Sequence, residues 1–255
     1  MSMEDARGAY DKFAPIYDQF NHLNDYELWT SVLLAELEKH GIRKGRLLDV
    51  GCGTGRAFEP MLNRGWEVQG CDLSEGMLAE AGRKFGETVE LAVADVRDLP
   101  VFGEFELVWA LNDVVNYLTG EGELERALTG MCANLAPGGL LLFDANSLGL
   151  FQSSFSSGIS EAMSSGPWSW HGLAEEVVPG GTYEAQVSGD GVEMHVHRQR
   201  HFPVTEMVAK MEAAGLEPVA TVGQQEVDSQ ILLTSPPDEM RDYKVVYIGR
   251  QSSEK

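Results

Sequence analysis

The stretch Arg46 to Gly55, RLLDVGCGTG, decides how the rest of this 255-residue chain is read. Four residues that suit a buried strand, Leu47, Leu48, Asp49 and Val50, run straight into glycines at alternate positions, Gly51, Gly53 and Gly55, and helix-compatible sequence follows. A strand that turns at once into a helix needs glycine. Only a residue without Cβ allows the sharp bend and the close approach of a ligand to the backbone. The segment therefore predicts a ligand-binding strand–turn–helix corner.

Outward from this corner, strands and helices alternate. On the N-terminal side, Asn24 or Asp25 can cap a helix running to about His40, with Gly41 placed just past its end. Before it, residues 1–23 carry Tyr10, Phe13, Ile16, Tyr17 and Phe20, too aromatic for a solvated tail and too short to own a core, so the segment is expected to fold over another surface. On the C-terminal side a helix through Phe58, Met61 and Leu62 precedes a strand ending at Asp72, and Ser74 then caps a helix through Met77 and Leu78. Further strands read as VELAVA before Asp95, FELVWAL before Asn112, Asp113 and Asn116, and LLLF before Asp144, this last after a helix from Glu123 that Pro137-Gly138-Gly139 closes. Five such units imply a mainly parallel sheet covered on both faces, with ligands at the carboxyl ends of its strands.

After Asp144 the pattern changes. Residues 146–166 are rich in Ser and Gly and read as a linker. Three antiparallel strands follow, with turns at 179–181 and 189–191. A helix from Val204 to Ala214 and two closing strands complete the chain.

Composition narrows the function. Lys and Arg number 19 against 40 Asp and Glu, a net charge of −21, so the overall field repels phosphate-rich partners and a nucleic-acid substrate is not expected. No stretch approaches the roughly 20 apolar residues of a membrane span and no signal peptide is read, so the chain is expected to be cytoplasmic. Cys52, Cys71 and Cys132 lack C-x-x-C spacing and read as small reduced side chains. A homodimer is compatible with the sequence but does not follow from it.

The spacing of the glycines selects among ligands. The dinucleotide fingerprint G-x-G-x-x-G requires glycine at position 56, near the pyrophosphate; this chain has Arg56 and the spacing G-x-G-x-G. LLDVGCGTG, GCDLSEGML, AVADVRDLP and LAPGGLLLF, in this order, resemble the motifs of the class I S-adenosylmethionine-dependent methyltransferases over roughly residues 40–145. The flanks, YDKFAPIYD and a β-insert before the last helix, are similar to a small-molecule branch that includes amino-sugar N-methyltransferases. The resemblance implies a Rossmann-like α/β fold with a seven-stranded, mostly parallel sheet, an N-terminal helical cap over 1–40, a core over 41–145, a linker and insert over 146–202, and a closing helix and strand pair over 203–255.

It also implies roles. The cofactor would be S-adenosyl-L-methionine, leaving as S-adenosyl-L-homocysteine, and the partner a small-molecule acceptor. Asp49, Gly51, Cys52, Gly53 and Gly55 would hold its methionine part and Asp72 its ribose hydroxyls, a task for an acceptor-only carboxylate. Leu73 and Met77 would flank the adenine, Asp95 and Val96 its amino edge, with Leu111 also at the site. Tyr10, Tyr17 and Trp29 would line the methionine end and substrate entrance. Each has a structural alternative: helix-terminal charge for Asp72, a turn for Asp95, core packing for the apolar residues and aromatics.

Methyl transfer from a sulfonium mainly needs alignment and exclusion of water, with a side chain to keep an amine neutral or deprotonate a hydroxyl. Candidates are Asn112, Asp113, Asn116 and Tyr117 after the fourth strand, and His195 and His197 in the insert. Glu193, His195, His197, Gln199 and His201 alternate along one strand. Such a row can furnish a base, but it is also what the solvated face of an antiparallel sheet looks like; a metal site is disfavoured because strand neighbours on one face sit about 7 Å apart. Trp168, Trp170 and His171 suit either an aromatic wall or packing of the insert. Two other readings stay open: a nicotinamide-dependent oxidoreductase, which Arg56 opposes, and a non-catalytic module binding the same cofactor and a protein partner.

Overall fold

A computed structural model describes residues 3–22, 24–157, 168–189 and 192–251. Strand β1 (Arg46–Val50) is buried at every position but its first, as an interior parallel strand must be when helices cover both faces of its sheet. It pairs in parallel with β2 (Glu67–Asp72) on one side and β4 (Phe105–Ala110) on the other, with β3 (Glu90–Val93) beyond β2 and β5 (Leu135–Asn146) beyond β4. The strand order thus reverses at β1, and the crevice outside the carboxyl ends of β1 and β4 is where an open α/β sheet binds ligands.

The sheet is completed by β9 (Leu216–Val227), β10 (Gln230–Thr234) and β11 (Lys244–Gln251). The last of these inserts antiparallel between β5 and β9, giving the order β3-β2-β1-β4-β5-β11-β9-β10. The expected fold stands, with eight strands in place of seven. The extra one arises because Asp228 and Ser229, both at positive φ (50° and 60°), make a two-residue turn that folds β10 back on β9.

Side chains alternate across the sheet. Leu48, Val50, Val108, Leu141 and Phe143 pack with α5 (Glu123–Cys132) and α7 (Val204–Ala213). Leu47, Leu107, Trp109, Leu140 and Leu142 pack with α2 (Tyr26–Lys39) and α3 (Glu59–Asn63) on the other face. Asp25 caps α2 by accepting from Leu28 N, and Ser74 caps α4 (Glu75–Phe85) by accepting from Met77 N. All three cysteines are free and buried.

Several expectations need correction. The helix after the glycine corner begins only at Glu59, with three residues of turn between it and Gly55, and has five residues with Pro60 in its first turn. Pro137-Gly138-Gly139 lies inside β5, where it shifts the register against β4, and does not simply end a helix. The serine-rich segment after Asn146 is not all linker. Ser147 caps α6 (Leu148–Phe155), which buries Phe151 and Phe155 against the insert; the pair at i,i+4 outweighs the loop-like composition. Residues 158–167 lie outside the described residues, as do the side chains of Trp168 and Glu193.

The insert is the antiparallel sheet β6 (Trp168–Gly172), β7 (Thr182–Gly189) and β8 (Val192–Arg200). The alternating row beginning on β8 is not solvated: His197, Gln199 and, just beyond the strand, His201 are 3%, 2% and 0% exposed. Helix α1 (Met3–Phe20) covers this side of the molecule, and Phe13 and Ala14 are buried against Met77.

Candidate active site

Gly51, Gly53 and Gly55 adopt positive φ (75°, 54° and 88°), a region that side chains other than glycine rarely occupy. Their surroundings differ. A Cβ on Gly53 would meet nothing within 4 Å, so its backbone faces open space, whereas one on Gly55 would lie 2.5 Å from both Phe58 and Phe85. Gly55 therefore serves packing and is not in the cleft wall. The cleft runs from Asp49, Gly51, Cys52 and Gly53 past Asp72, Leu73 and Met77 to Asp95, Val96 and Leu111, with Tyr10 and Tyr17 closing it from α1. It is open at its mouth, with about 1110 Å³ of unfilled space among these residues when the adjoining solvent is counted.

Two carboxylates set its electrostatics. Asp49 is 1% exposed and its Oδ2 has no hydrogen-bond partner. Burial, reinforced by the neighbouring charge of Asp72 and opposed by the Trp109 indole N–H, pushes its carboxyl up to about 7. A buried unpaired carboxylate oxygen is costly unless something cationic or donating meets it. Asp72 accepts from Gly53 N (2.8 Å) and Ser74 N (2.9 Å), one bond on each oxygen, leaving each with a lone pair. Burial raises its pKa also, against the lowering effect of those amides. Asp95 lines the cleft, but its carboxylate is held by Arg97, which donates from Nε (2.9 Å) and Nη2 (2.8 Å). Its backbone carbonyl is taken as well, by Asp98 N (3.0 Å).

The cover is fastened at both ends. Asp11 Oδ1 accepts from Ser74 Oγ (2.6 Å) and Gly76 N (2.9 Å), while Asp18 accepts from Thr54 Oγ1 (2.6 Å) and pairs with Lys84 (2.5 Å). Arg56, where a dinucleotide site would have glycine, donates to the carbonyls of Asp18, Asn21 and Asn24 and lies over the Tyr26 ring. A cation bound to Asp18 O in the last turn of α1 and to two carbonyls just beyond it is favourable twice, by hydrogen bonding and by the helix dipole. Sequence reading used Arg56 only as a mismatch and missed this tie. It also missed Tyr26, Thr54 and Leu118 in the wall, having no pattern to point at them.

At the far end the wall is Tyr10, Tyr26, Asn112, Val114 and Tyr117. Of the other expected residues, Trp29 is not in the wall: it is 6% exposed, with Nε1 donating to Gln224 Oε1 (2.7 Å) and Lys244 over its ring. Asp113 lies just behind, in a left-handed conformation beside Lys244 (3.7 Å), which also binds Asp144 (2.6 Å). Burial pushes Asp113 up to about 6 despite Lys244, and the two carboxylates raise Lys244 against its own burial. Asp144 in turn accepts from the backbone of Asn112 (2.7 Å) and Asp113 (3.2 Å), which fixes this loop. Lys244, a single charge opening an apolar strand, is a functional-looking residue that sequence reading passed over.

His195 and His197 are also behind the wall. His197 Nδ1 meets Tyr117 Oη at 2.8 Å, and its Nε2 is 3.0 Å from His195 Nε2, far closer than strand spacing suggests because the rings lean together. Burial, then the neighbouring His195, lowers His197 to about 3, so it is neutral. Trp170 stacks on His197 and donates to Ser154 O (2.7 Å), a packing role. No group of three or more candidate metal ligands occurs among the described residues, and no described helix is long and apolar enough to cross a membrane.

Residues 47–139 match the family described as methyltransferase domain. A Geobacillus sp. protein carrying a provisional methyltransferase name is 37% identical over 144 residues, 54% of this chain and 58% of that protein. The dTDP-3-amino-3,6-dideoxy-alpha-D-glucopyranose N,N-dimethyltransferase of Streptomyces fradiae is 32% identical over 120 residues, 47% of each chain. This chain thus spans about half the length of the curated relatives it matches. Among solved structures, an S-adenosylmethionine-dependent methyltransferase from Clostridium acetobutylicum superposes with a TM-score of 0.76 at 20% identity, covering 96% of this chain and 99% of that one.

Proposed function

From the premise that this chain belongs to the class I S-adenosylmethionine-dependent methyltransferase family, we propose that it transfers a methyl group to a nitrogen or oxygen of a small molecule. The observation that carries this reading is the pair of carboxylates at the ends of β1 and β2: Asp49 with an unpartnered oxygen and Asp72 with two lone pairs, on one glycine-walled cleft. They fit the ammonium and the ribose diol of S-adenosylmethionine. A solved relative from Micromonospora echinaspora, an amino pentose methyltransferase with TM-score 0.63 and 22% identity over 91% of this chain and 94% of that one, holds that cofactor.

Bound there, S-adenosylmethionine would supply a sulfonium methyl group open to in-line displacement. Asp49 pairs with the ammonium and Asp72 with the ribose, while Leu73, Met77 and Val96 pack on the adenine. Tyr10 and Tyr17 exclude water from the far end, and orientation of the acceptor there is worth roughly 7–11 kcal/mol.

The acceptor is amino-bearing or neutral. Both arginines on the cleft wall are committed, Arg56 to carbonyls and Arg97 to Asp95. With a net charge of −21, little is left to hold a phosphate. The test is incubation with methyl-labelled S-adenosylmethionine and a small-molecule extract. Formation of S-adenosylhomocysteine together with a labelled amine or hydroxyl compound is expected. Binding without turnover over a broad set of amines and hydroxyls would instead favour a non-catalytic module.

A further inference from the structure

The geometry points to a proton relay that leads out of the cleft through the insert: Tyr10, Tyr117, His197 and His195 form one unbroken hydrogen-bonded chain. It rests on the methyltransferase reading above and adds the route by which the acceptor loses its proton. Tyr10 and Tyr117 line the far end of the cleft, and Tyr10 Oη donates to Tyr117 Oη at 2.8 Å. Tyr117 has a single proton, and with its oxygen already accepting, that proton is directed to His197 Nδ1, 2.8 Å away. His197 then carries its own proton on Nε2, 3.0 Å from His195 Nε2, which accepts it. Every link points outward, from the cleft to a half-buried histidine on β8.

The surroundings hold this chain in register. The Tyr10 ring stands edge-on to both Tyr117 and His197, Trp170 is stacked on His197, and Phe13 lies against His195. At its centre His197 is 3% exposed and packed against Trp170 and Tyr10, which shields the middle of the chain from water that would otherwise break it. A neutral His197 suits a conduit, since it receives a proton at one nitrogen as it gives one from the other.

The step balances. An acceptor arriving as an ammonium gives an N–H proton to Tyr10 Oη and keeps the electron pair that will attack the methyl group. Tyr10 passes its proton to Tyr117, Tyr117 to His197 Nδ1, and His197 its Nε2 proton to His195, which becomes the imidazolium. No oxidant, reductant or metal takes part. His195 returns its proton to solvent, and the chain resets by reverse rotation of the two hydroxyls and exchange of the His197 tautomer.

The experiment separates this relay from the reading beneath it. Calorimetry with S-adenosylhomocysteine tests the cofactor site alone, and His195→Phe, which does not touch the cleft, serves as the folded control that still binds it. Nitrogen-15 spectra of the histidine rings in that complex are expected to show His197 protonated on Nε2 and bare at Nδ1; protonation at Nδ1 would reverse the chain and overturn the proposal. With methylamine as acceptor and wild-type turnover established, His195→Phe should lower kcat roughly 10²-fold, the scale of acid–base catalysis, with KM little changed, and added imidazole should restore part of it. His195→Phe turning over at the wild-type rate would sink the relay while leaving the methyltransferase reading intact. Absence of wild-type binding and turnover would sink both.

Discussion

On the proposed reading, Asp72→Ala removes the two acceptors that would hold the ribose. It should weaken binding of S-adenosylhomocysteine by about 1.5–3 kcal/mol, the usual worth of hydrogen bonds to a charged group. A dissociation constant unchanged by this substitution would remove Asp72 from the site. Asp49 makes a pH-dependent prediction. Its folded carboxyl lies at about 7 and an unfolded aspartate ionises near pH 3.9. Between those values the folded chain binds the proton more tightly, so this residue's contribution to stability falls as pH rises. Ligand binding runs the other way, because an ammonium prefers the ionised form: affinity for S-adenosylhomocysteine should rise with pH through about 7, and Asp49→Asn should flatten the rise. Lys244→Met leaves Asp144 and Asp113 as uncompensated buried charges and should cost about 3–5 kcal/mol of stability, read from denaturant midpoints. At this scale the sequence disclosed the residues with a motif around them, such as Asp49 and Asp72. Trp29 was misplaced because an aromatic on a helix looks the same whether it faces a ligand or the sheet. Lys244 and Arg56 act through partners about 100 and 35 residues away in sequence, Asp144 and Asn21, which no local pattern announces.

Helix α1 rests on α4 through a small apolar cluster, Phe13 and Ala14 against Met77, and is otherwise fastened by hydrogen bonds and ion pairs at the cleft rim. An element held this way opens locally at low cost. Amides of Tyr10 to Phe20 should therefore become more protected from hydrogen exchange when S-adenosylhomocysteine is added, since Tyr10 and Tyr17 would pack on it. Identical exchange with and without ligand would show that α1 is a fixed wall. Most elements were legible because capping residues and glycine breaks bound them, as with Asp25, Ser74 and Gly41. Helix α6 and strand β10 were not. The first hides two phenylalanines in a serine-rich run, and the second depends on an Asp-Ser turn that lacks the glycine usual in a two-residue hairpin.

At the scale of the whole molecule, the insert sits beside the glycine-walled cleft, on the loop after β4. Asn116 donates to Arg200 O (2.8 Å), Gln199 to Asp113 (2.5 Å), and Tyr117 meets His197, so the insert touches the loop after β4 and not the glycine corner. Replacing residues 168–200 by a short glycine linker should spare S-adenosylhomocysteine binding and abolish methyl transfer. Full turnover of a folded deletion variant would place the acceptor elsewhere. That the sheet is mainly parallel followed from the alternation of strands and helices, whereas this docking rests on contacts 80 or more residues apart and had to be seen in three dimensions. The measurement that bears most directly on the cleft's identity is a calorimetric titration of the intact chain with S-adenosylhomocysteine and, separately, with NAD. Saturable one-site binding of S-adenosylhomocysteine and none of NAD is expected; saturable NAD binding, or no heat from S-adenosylhomocysteine, would contradict the assignment.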